Sequence, residues 1–598
     1  MIAISLAIAV GLAYVLVLGV LGARCGERSN FPFRCVLSAG LGGGFFSLLT
    51  FLVILLWGPS QVVLLLAHVA ALAAVGALWL RRFAGVESPS PVEFMPRTTR
   101  EDPAGSKILL ALFLVAAFLA LWYQITVFVS APHGQWDAWS IWNCRARFIA
   151  RTGLDLRGAF TEFLGVNDLD YPLHVPLLVS SLWVQLGTET VLVPGLVAIG
   201  YSAGTMAIVC LGLAAITDVR RALLGGILLV TGACFLYWGA GQYADVPAGF
   251  YLAASIVLLA LDDCAEDSST LRPALLAGLA AGLSAWVKNE GMMWGLAIGM
   301  SLGLGAVLQG RNTRTDPHTG ETRANSNDDA VLPLPEESFG DQREPQVPEI
   351  SREGGVEKGS FETPVSAPHL PEKTHACEAG TANRGNATSP TVGTPVRRPA
   401  GAAMQQKFLG IGVWGKGLLS RSPFPQKLHY PRNRFLALRG FALGLVPVVV
   451  VVIAFKRCFQ GNNYLTCWEN LSLAGSRILD SSRYWEIGAA FLKEPFHVHD
   501  WGLVAPLMIL YACISGWDCP RRVRHGAATG LLSVSLILAG YFIVFLITPF
   551  PLTWHLETAL QRLFVQLWPA CVFLYCLTVR LPGGASAPQA AGDHALAR

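Results

Sequence analysis

The sequence predicts an all-α, polytopic membrane protein. The 598-residue chain is 53% hydrophobic and only 14% charged, which is more apolar surface than a soluble core can bury. The apolar residues occur in runs of about 20, the length of a helix that crosses roughly 30 Å of hydrocarbon. The formal net charge of +4 is too small to indicate a nucleic-acid partner, so the basic residues are informative by position instead.

Four apolar runs precede the first long polar loop. They lie at residues 3–23, 35–57, 61–80 and 107–130. The first run has no basic segment before it and continues almost to Arg24, so we expect a retained helix and not a cleaved signal peptide. Basic residues between the first and second runs, and between the third and fourth, indicate that both loops are cytoplasmic. Residues 131–171 are therefore predicted to lie on the outer side.

This outer loop contains a stretch, Ala131–Arg147, that combines one carboxylate with aromatic and basic residues at a membrane boundary. The aromatic residues are Trp136, Trp139 and Trp142. Their spacing of about one turn predicts a helix that lies flat in the interface, where tryptophan is favoured. Asp137 begins this helix, and Arg145 and Arg147 follow on later turns.

Two interpretations of this stretch stay open. In the first, Asp137 is a helix N-cap, the tryptophans form an aromatic belt and the arginines are interfacial anchors. In the second, the carboxylate takes a proton from an acceptor molecule while the guanidinium groups hold a phosphate.

The middle of the chain predicts five more spans. They lie near residues 190–215, 222–240, 245–262, 273–287 and 291–309. The preceding apolar segment, 175–186, is too short to span and is predicted to be an interfacial or half-inserted helix. The basic turn at 218–221 then falls on the cytoplasmic side, as the positive-inside rule requires.

Residues 310–435 are rich in Pro, Gly, Ser, Thr, Glu and Arg, which predicts a disordered cytoplasmic insertion. The glycosylation pattern Asn386-Ala-Thr388 falls on this side, so we expect it to be unused. Four further apolar runs lie near 436–455, 501–516, 527–548 and 562–580. The prediction is therefore about 13 transmembrane helices plus interfacial helices.

The chain divides into six predicted regions. These are N-terminal transmembrane helices at 1–130, the outer loop with its carboxylate at 131–189, a transmembrane core at 190–309, the insertion at 310–435, C-terminal helices at 436–580, and a disordered tail at 581–598.

The 13 cysteines are scattered mainly through apolar segments, as expected of small core residues. Cys458 and Cys467 bracket a polar stretch, so a disulfide between them is an open alternative on the oxidising side of a membrane.

Ionisable residues from five separate segments are predicted to reach the outer face. They are Asp137 with its arginines, Asp170 with His174, Asp245, Lys288 with Glu290, and His555 with Glu557 and Arg562. Charges close to hydrocarbon are costly, so such residues are functional candidates by default. Ordinary roles stay open as well: Asp245 would cap the helix that has Pro247 in its first turn, and Lys288 and Glu290 would neutralise each other.

These motifs together resemble the membrane-embedded GT-C glycosyltransferases, and within them the family-39-like group of protein O-mannosyltransferases and aminoarabinose transferases. The resemblance covers about 130–310. It depends on the acidic residue in Gln135–Trp139, on Asp170–His174 before a short apolar segment, on the basic turn at 218–221, and on Tyr243–Pro247 at the start of a helix.

The resemblance implies transfer of a sugar from a polyprenyl-phosphate donor to an acceptor on the outer face of a bacterial inner membrane. Asp137 stands in the place of the catalytic carboxylate, and Asp245 matches a second acidic position. The candidates for substrate binding are Arg145, Asp170, Tyr171, His174, Lys288, Glu290, His555 and Arg562. Family members commonly have paired acidic residues where Ala138 follows Asp137 here, so use of a divalent metal ion at Asp137 and Asp245 stays open. A lipid-linked donor also fits the lack of a Rossmann-type segment in the sequence.

Two other function classes compete with this interpretation. A transporter or flippase would carry a lipid-linked or anionic solute, and a scaffold would recruit partners through the insertion. Transporters are typically built from related halves with broken helices near the midplane. The sequence has no internal repeat, and its polar stretches fall at helix ends on one face, which favours the transferase.

Overall fold

The computed structural model describes residues 2–21, 31–83, 103–160, 169–264, 272–315, 433–459 and 468–581. Within these ranges the regular structure is helical, apart from an isolated bridge between Trp517 and Val579. The predicted all-α architecture is thus confirmed for the described residues. All of them belong to one unit, Met1–Glu321 with Leu428–Arg598, whereas the other unit, Thr322–Lys427, lies outside the described residues.

Helices form here because a backbone in hydrocarbon has to satisfy its own hydrogen bonds within the segment. The first twelve are α1 (Ile2–Leu21), α2 (Phe31–Trp57), α3 (Gln61–Phe83), α4 (Pro103–Ser130), α5 (Asn143–Arg151), α6 (His174–Leu186), α7 (Leu192–Ile216), α8 (Val219–Thr231), α9 (Ala233–Ala240), α10 (Asp245–Asp263), α11 (Arg272–Val287) and α12 (Glu290–Thr315). The others are α13 (Arg434–Phe459), α14 (Trp468–Leu479), α15 (Ser481–Lys493), α16 (Val498–Trp501), α17 (Val504–Ser515), α18 (Arg524–Ile547) and α19 (Leu552–Thr578).

Among the described residues, nine helices are long and apolar enough to cross a membrane, or up to 11 segments if two bent helix pairs each count as one span. The nine are Phe31–Trp57, Gln61–Leu78, Gly105–Ser130, Leu192–Ile216, Asp245–Asp263, Glu290–Gln309, Arg434–Phe459, Arg521–Ile547 and Leu552–Thr578. The prediction of about 13 spans is not confirmed. Two of the predicted spans correspond to shorter apolar segments, Ala7–Val17 within α1 and Pro273–Val287 within α11.

The two bent pairs correct two predicted spans. The segment predicted at 222–240 consists of α8 and α9, which meet at an angle of 69° because Gly232 between them has an extended backbone. The segment predicted at 501–516 is also not continuous. A bend of 115° separates Ser481–Trp501 from α17, and Gly502 in this turn has a φ of 61°, a conformation that glycine adopts without a steric penalty.

Helix boundaries differ from the prediction at two further places. The last helix begins at Leu552 and not near 562, so His555 and Arg562 are helical residues and not loop residues. Polar residues in its first turns lower the local hydropathy, although apolar residues recur there at helical spacing. The predicted insertion 310–435 is also shorter at its ends, because α12 continues to Thr315 and α13 begins at Arg434.

Several predictions fall on residues that are not described. Cys458, at the end of α13, is exposed, but Cys467 lies outside the described residues, so their pairing stays a prediction. The same holds for Asn386, for the disorder of the insertion between 316 and 432, and for the tail from 582.

Helix α10 is the centre of the fold. Its apolar window is completely buried, and it packs against α7, α11, α18 and α19. Because Asp245 is its first residue, the neighbouring helices deliver their side chains to this carboxylate at one end of the bundle.

Helices α11 and α13 pack closely and in the same direction. A Cβ added to Gly278 of α11 would overlap the backbone carbonyl of Phe441 in α13, and one turn later Gly282 faces Leu445 and Val448. Small residues at such a contact let the two backbones approach. The parallel register brings the end of α13, with Lys456, beside the turn that follows α11.

Candidate functional site

Asp137 lies at the start of an unusual turn. Residues Ala138–Trp142 form a π-helical turn that leads into α5, and π turns occur frequently at functional sites. Asp137 has helical backbone angles, and its side chain makes no capping hydrogen bond. The N-cap interpretation of Asp137 is therefore wrong. Its peptide N–H instead donates to the Tyr243 hydroxyl, over 3.1 Å.

Only two of the three tryptophans in this loop are at the surface. Trp136 and Trp139 are 66% and 44% exposed, and their rings pack edge to face with centroids 4.6 Å apart. Trp142 is completely buried and packs against the ring of Tyr171. The predicted flat helix with three interfacial tryptophans is thus wrong for Trp142, because the π-helical turn rotates it inward.

Arg562 bridges the two candidate catalytic carboxylates. Its Nη2 atom lies 2.6 Å from Oδ2 of Asp137 and 3.3 Å from Oδ2 of Asp245. The guanidinium also stacks over Tyr243, 4.7 Å from the ring centroid. Burial raises the pKa of Tyr243 to about 12, so this phenol stays neutral beside the charges.

Asp245 is fully buried and has polar partners from three directions. Besides Arg562, Nζ of Lys288 donates to it over 3.0 Å and Nε2 of Gln566 over 2.5 Å. Gln566 lies one turn after Arg562 in α19, so both side chains share one helix face. A buried carboxylate requires such partners, because an unpaired charge in this environment is very costly. The interpretation of Asp245 as a helix cap is wrong, because the N-cap residue of α10 is Ala244 and no side chain makes a capping hydrogen bond there.

Lys288 links Asp245 to Glu290, whose Oε1 lies 2.9 Å from Nζ. Burial lowers the pKa of Lys288, but the carboxylates of Asp245 and Glu290 raise it by more, so the net shift is upward and the side chain remains cationic. Asp137, Arg562, Asp245, Lys288 and Glu290 thus form a row of alternating charges, here called the main charge cluster. Its three negative and two positive groups give a formal net charge of −1.

A second cluster forms around Asn289, in the turn between α11 and α12. Asn289, between Lys288 and Glu290, donates to Asp170 over 2.7 Å and accepts from Nζ of Lys456 over 2.7 Å. Lys456 also donates to the backbone carbonyl of Asp170 over 2.9 Å. We call Asp170, Asn289 and Lys456 the second cluster.

The sequence interpretation missed Lys456. A signal was present, because Lys456 ends a long apolar run on the same predicted face as Asp137. It was indistinguishable from an ordinary interfacial lysine until the packing of α13 against α11 was known.

Arg145 and Tyr171 adjoin the second cluster. Arg145 is 1% exposed, and its Nη1 donates to the backbone carbonyl of Tyr171 over 2.9 Å. The Tyr171 ring lies beside Lys288, with Nζ 5.6 Å from the centroid, so this residue contacts both Arg145 and the main charge cluster.

The charged partner of Asp137 comes from α19 and not from the arginines that follow it in the sequence. Asp137 pairs with Arg562 instead, and Arg147 lies near Glu189, at 3.8 Å. Residues close in sequence on α5 point in different directions, whereas α19 packs beside α10 and reaches Asp137.

The two candidate histidines are not brought to the charged residues of either cluster by any described contact. His174 is fully buried, with its ring nitrogens at hydrogen-bonding distance from the hydroxyls of Ser47 and Tyr201. His555 packs against the rings of Phe545 and Phe550. Both contacts are typical of histidines that stabilise helix packing.

The donor set does not fit a divalent metal ion. The Arg562 guanidinium lies between Asp137 and Asp245, where a shared metal would have to bind. Among the described residues, no group of three or more His, Cys, Asp or Glu side chains is arranged to hold a metal.

Comparison of the chain with protein-family models, with curated proteins and with solved structures found no match. The functional interpretation therefore depends on the geometry of the two clusters and on the sequence motifs that they contain.

Proposed function

We propose that the chain is an integral membrane glycosyltransferase, which moves a sugar from a polyprenyl-phosphate-linked donor to a lipid, glycan or protein acceptor on the outer face of a bacterial inner membrane. The observation that supports this most is the position of Asp137. Its carboxylate side chain is 15% exposed and is held by Arg562 against the buried Asp245, at the end of the bundle where the charged segments meet.

Asp137 would act as the general base. An acceptor hydroxyl is a weak nucleophile until its proton is removed, and a positioned carboxylate can take this proton. The ion pair with Arg562 would fix the position of this carboxylate, because the guanidinium lies 2.6 Å from Oδ2 of Asp137.

The donor phosphate would bind beside the second cluster. Lys288 is 3% exposed and already contacts two carboxylates, so the main charge cluster, with its net negative charge, disfavours another anion. Lys456 is 29% exposed, and Arg145 lies within electrostatic range of it. With Asp170 as the opposing charge, these two cations leave one positive charge for a phosphate.

The reaction then balances with these groups alone. The acceptor oxygen forms a bond to the anomeric carbon of the sugar, and the bond from that carbon to the phosphate oxygen breaks. The acceptor proton passes to Asp137, and the carrier leaves as polyprenyl phosphate, whose developing charge is stabilised by Lys456 and Arg145.

The alternative function is transport or flipping of a lipid-linked or anionic solute. The two bent helix pairs favour it, because interrupted helices are typical of transporters. Four of the five charged residues of the main cluster, however, lie at or near helix ends, with Asp245 and Glu290 as first residues of their helices, whereas Arg562 lies in the third turn of α19.

The test uses purified full-length protein in proteoliposomes with a panel of polyprenyl-phosphate sugars and a membrane-lipid extract as acceptor. We expect sugar to appear on an acceptor, with release of polyprenyl phosphate. Movement of a fluorescent polyprenyl-phosphate sugar between leaflets, without cleavage of the sugar, would instead establish the transport function.

A further inference from the structure

A polar cavity lies between α2, α3 and α6, and none of its described lining residues belongs to either charge cluster. Phe46 of α2, Leu64 of α3 and Leu154 form part of its apolar wall. Its volume, counted as the space open to the centre of a water molecule, is about 30 Å³. By this measure one water needs at least roughly 10–15 Å³, so the cavity has room for about two hydroxyl groups and excludes a sugar ring.

Three polar atoms of the residues lining this cavity have no hydrogen-bond partner among the described residues. They are Nε2 of His68, Oγ of Ser181 and Oε1 of Gln185. His68 is 4% exposed and Ser181 is 3% exposed. Buried polar groups are nearly always hydrogen-bonded to protein or to ordered water, so three such atoms in one cavity require a bound molecule, either water or a ligand with hydroxyl groups, to complete their bonds.

The hydrogen-bonding capacity of these atoms defines the ligand. Nδ1 of His68 lies 2.7 Å from the backbone carbonyl of Leu64, and a carbonyl only accepts, so Nδ1 carries the proton and Nε2 is an acceptor. Oε1 of Gln185 is also an acceptor, whereas the Ser181 hydroxyl can donate or accept. The ligand must therefore bring hydrogen-bond donors.

The lining also defines the charge and origin of the ligand. Its described residues include no Asp, Glu, Lys or Arg, so among them an anionic phosphate or a carboxylate has no charged partner. Gln61, the first residue of α3, is exposed and also lines the cavity, which places one side of the cavity close to a helix end, where a spanning helix would meet the lipid head groups.

We propose that this cavity binds the hydroxyl head of a neutral amphiphile, such as a monoacylglycerol, while its acyl chain lies along the outside of the helices. This site is separate from the proposed transferase site and does not depend on it.

The experiment uses a monoacylglycerol with a diazirine in its acyl chain, added to the full-length protein in nanodiscs. Photolabelling is quantified by mass spectrometry of peptides from α3 and α6, as a function of probe concentration. We expect saturable labelling, with about tenfold weaker apparent affinity in Ser181→Ala, the effect typical of losing one hydrogen bond. Ser180→Ala is the matched control, because Oγ of Ser180 bonds the carbonyl of Leu177 and does not line the cavity.

A probe with both hydroxyls methylated should bind at least as weakly as the unmethylated probe binds Ser181→Ala, because it has lost all of its hydrogen-bond donors. Gln185→Met provides an independent variant if Ser181→Ala folds poorly by size-exclusion chromatography. The proposal is overturned if wild-type labelling is not saturable, which would leave a water-filled cavity only, or if the methylated probe binds as tightly as the parent.

Discussion

The guanidinium of Arg562 lies 2.6 Å from the carboxylate of Asp137. This contact joins the third turn of α19 to the turn that precedes α5. The same guanidinium contacts Asp245 at the start of α10, so one cation holds together two carboxylates that would otherwise repel each other.

Arg562→Gln should destabilise the protein. Removing one partner of a buried ion pair typically costs about 3–5 kcal/mol, because the other charge is left without compensation. We expect a clear fall in the apparent Tm of purified protein in nanodiscs. Adding Asp245→Asn to Arg562→Gln should recover part of this loss. An unchanged Tm in the single variant would show that the bridge does not contribute to stability.

Asp137→Asn should abolish transfer while the protein still inserts. Asn has nearly the same size as Asp but cannot accept a proton, and loss of a general base commonly reduces the rate about 10²–10⁴-fold. Asp155→Asn in the same loop is the control, because Asp155 pairs only with the exposed Arg157 in the described contacts. Near-normal turnover by purified Asp137→Asn would show that Asp137 is not the general base and that another carboxylate has this role.

Lys456→Met should both raise the KM for a polyprenyl-phosphate donor and lower kcat. The proposed roles of Lys456 are to bind the donor phosphate, whose loss raises KM, and to stabilise the charge that develops as the carrier leaves, whose loss lowers kcat. The matched variant is Lys493→Met, which removes an exposed lysine at the end of α15. If both variants gave the same kinetics, the phosphate would have to bind elsewhere.

Deleting residues 320–425 and joining the ends with a short polar linker should leave catalysis largely intact. The peptide N–H of Arg434 donates to Oε1 of Gln309 over 2.9 Å, so the end of α12 and the start of α13 already meet. Closing a shorter loop between them changes the chain entropy only slightly. Loss of transfer in a deletion variant with normal insertion and Tm would show that the segment acts directly.

The topology can be measured with single cysteines in a background from which the 13 native cysteines have been removed. Thr188 and Asp518 are both exposed, and the basic residues of 521–524 predict that only Asp518 is cytoplasmic. An impermeant maleimide should label Thr188→Cys in intact cells, and Asp518→Cys only after permeabilisation. The reverse pattern would place the charge clusters on the cytoplasmic side.

Much of the helical framework could be predicted from the sequence. Hydropathy is a property of about 20 neighbouring residues, so the nine long apolar helices are recognisable without any knowledge of their packing. The same reasoning indicates that Asp137, Asp245 and Lys288 are unusual, because a charge at the edge of an apolar run is costly wherever that run packs.

The pairing of these charges was decided only by the tertiary structure. Sequence proximity favours Arg145 as the partner of Asp137, but α5 directs Arg145 to Tyr171, and Arg562 arrives from α19. Lys456 likewise gains its role from the parallel packing of α13 on α11. Ion pairs form over a few ångströms between segments that are distant in the chain, so they depend on helix packing, which local composition does not encode.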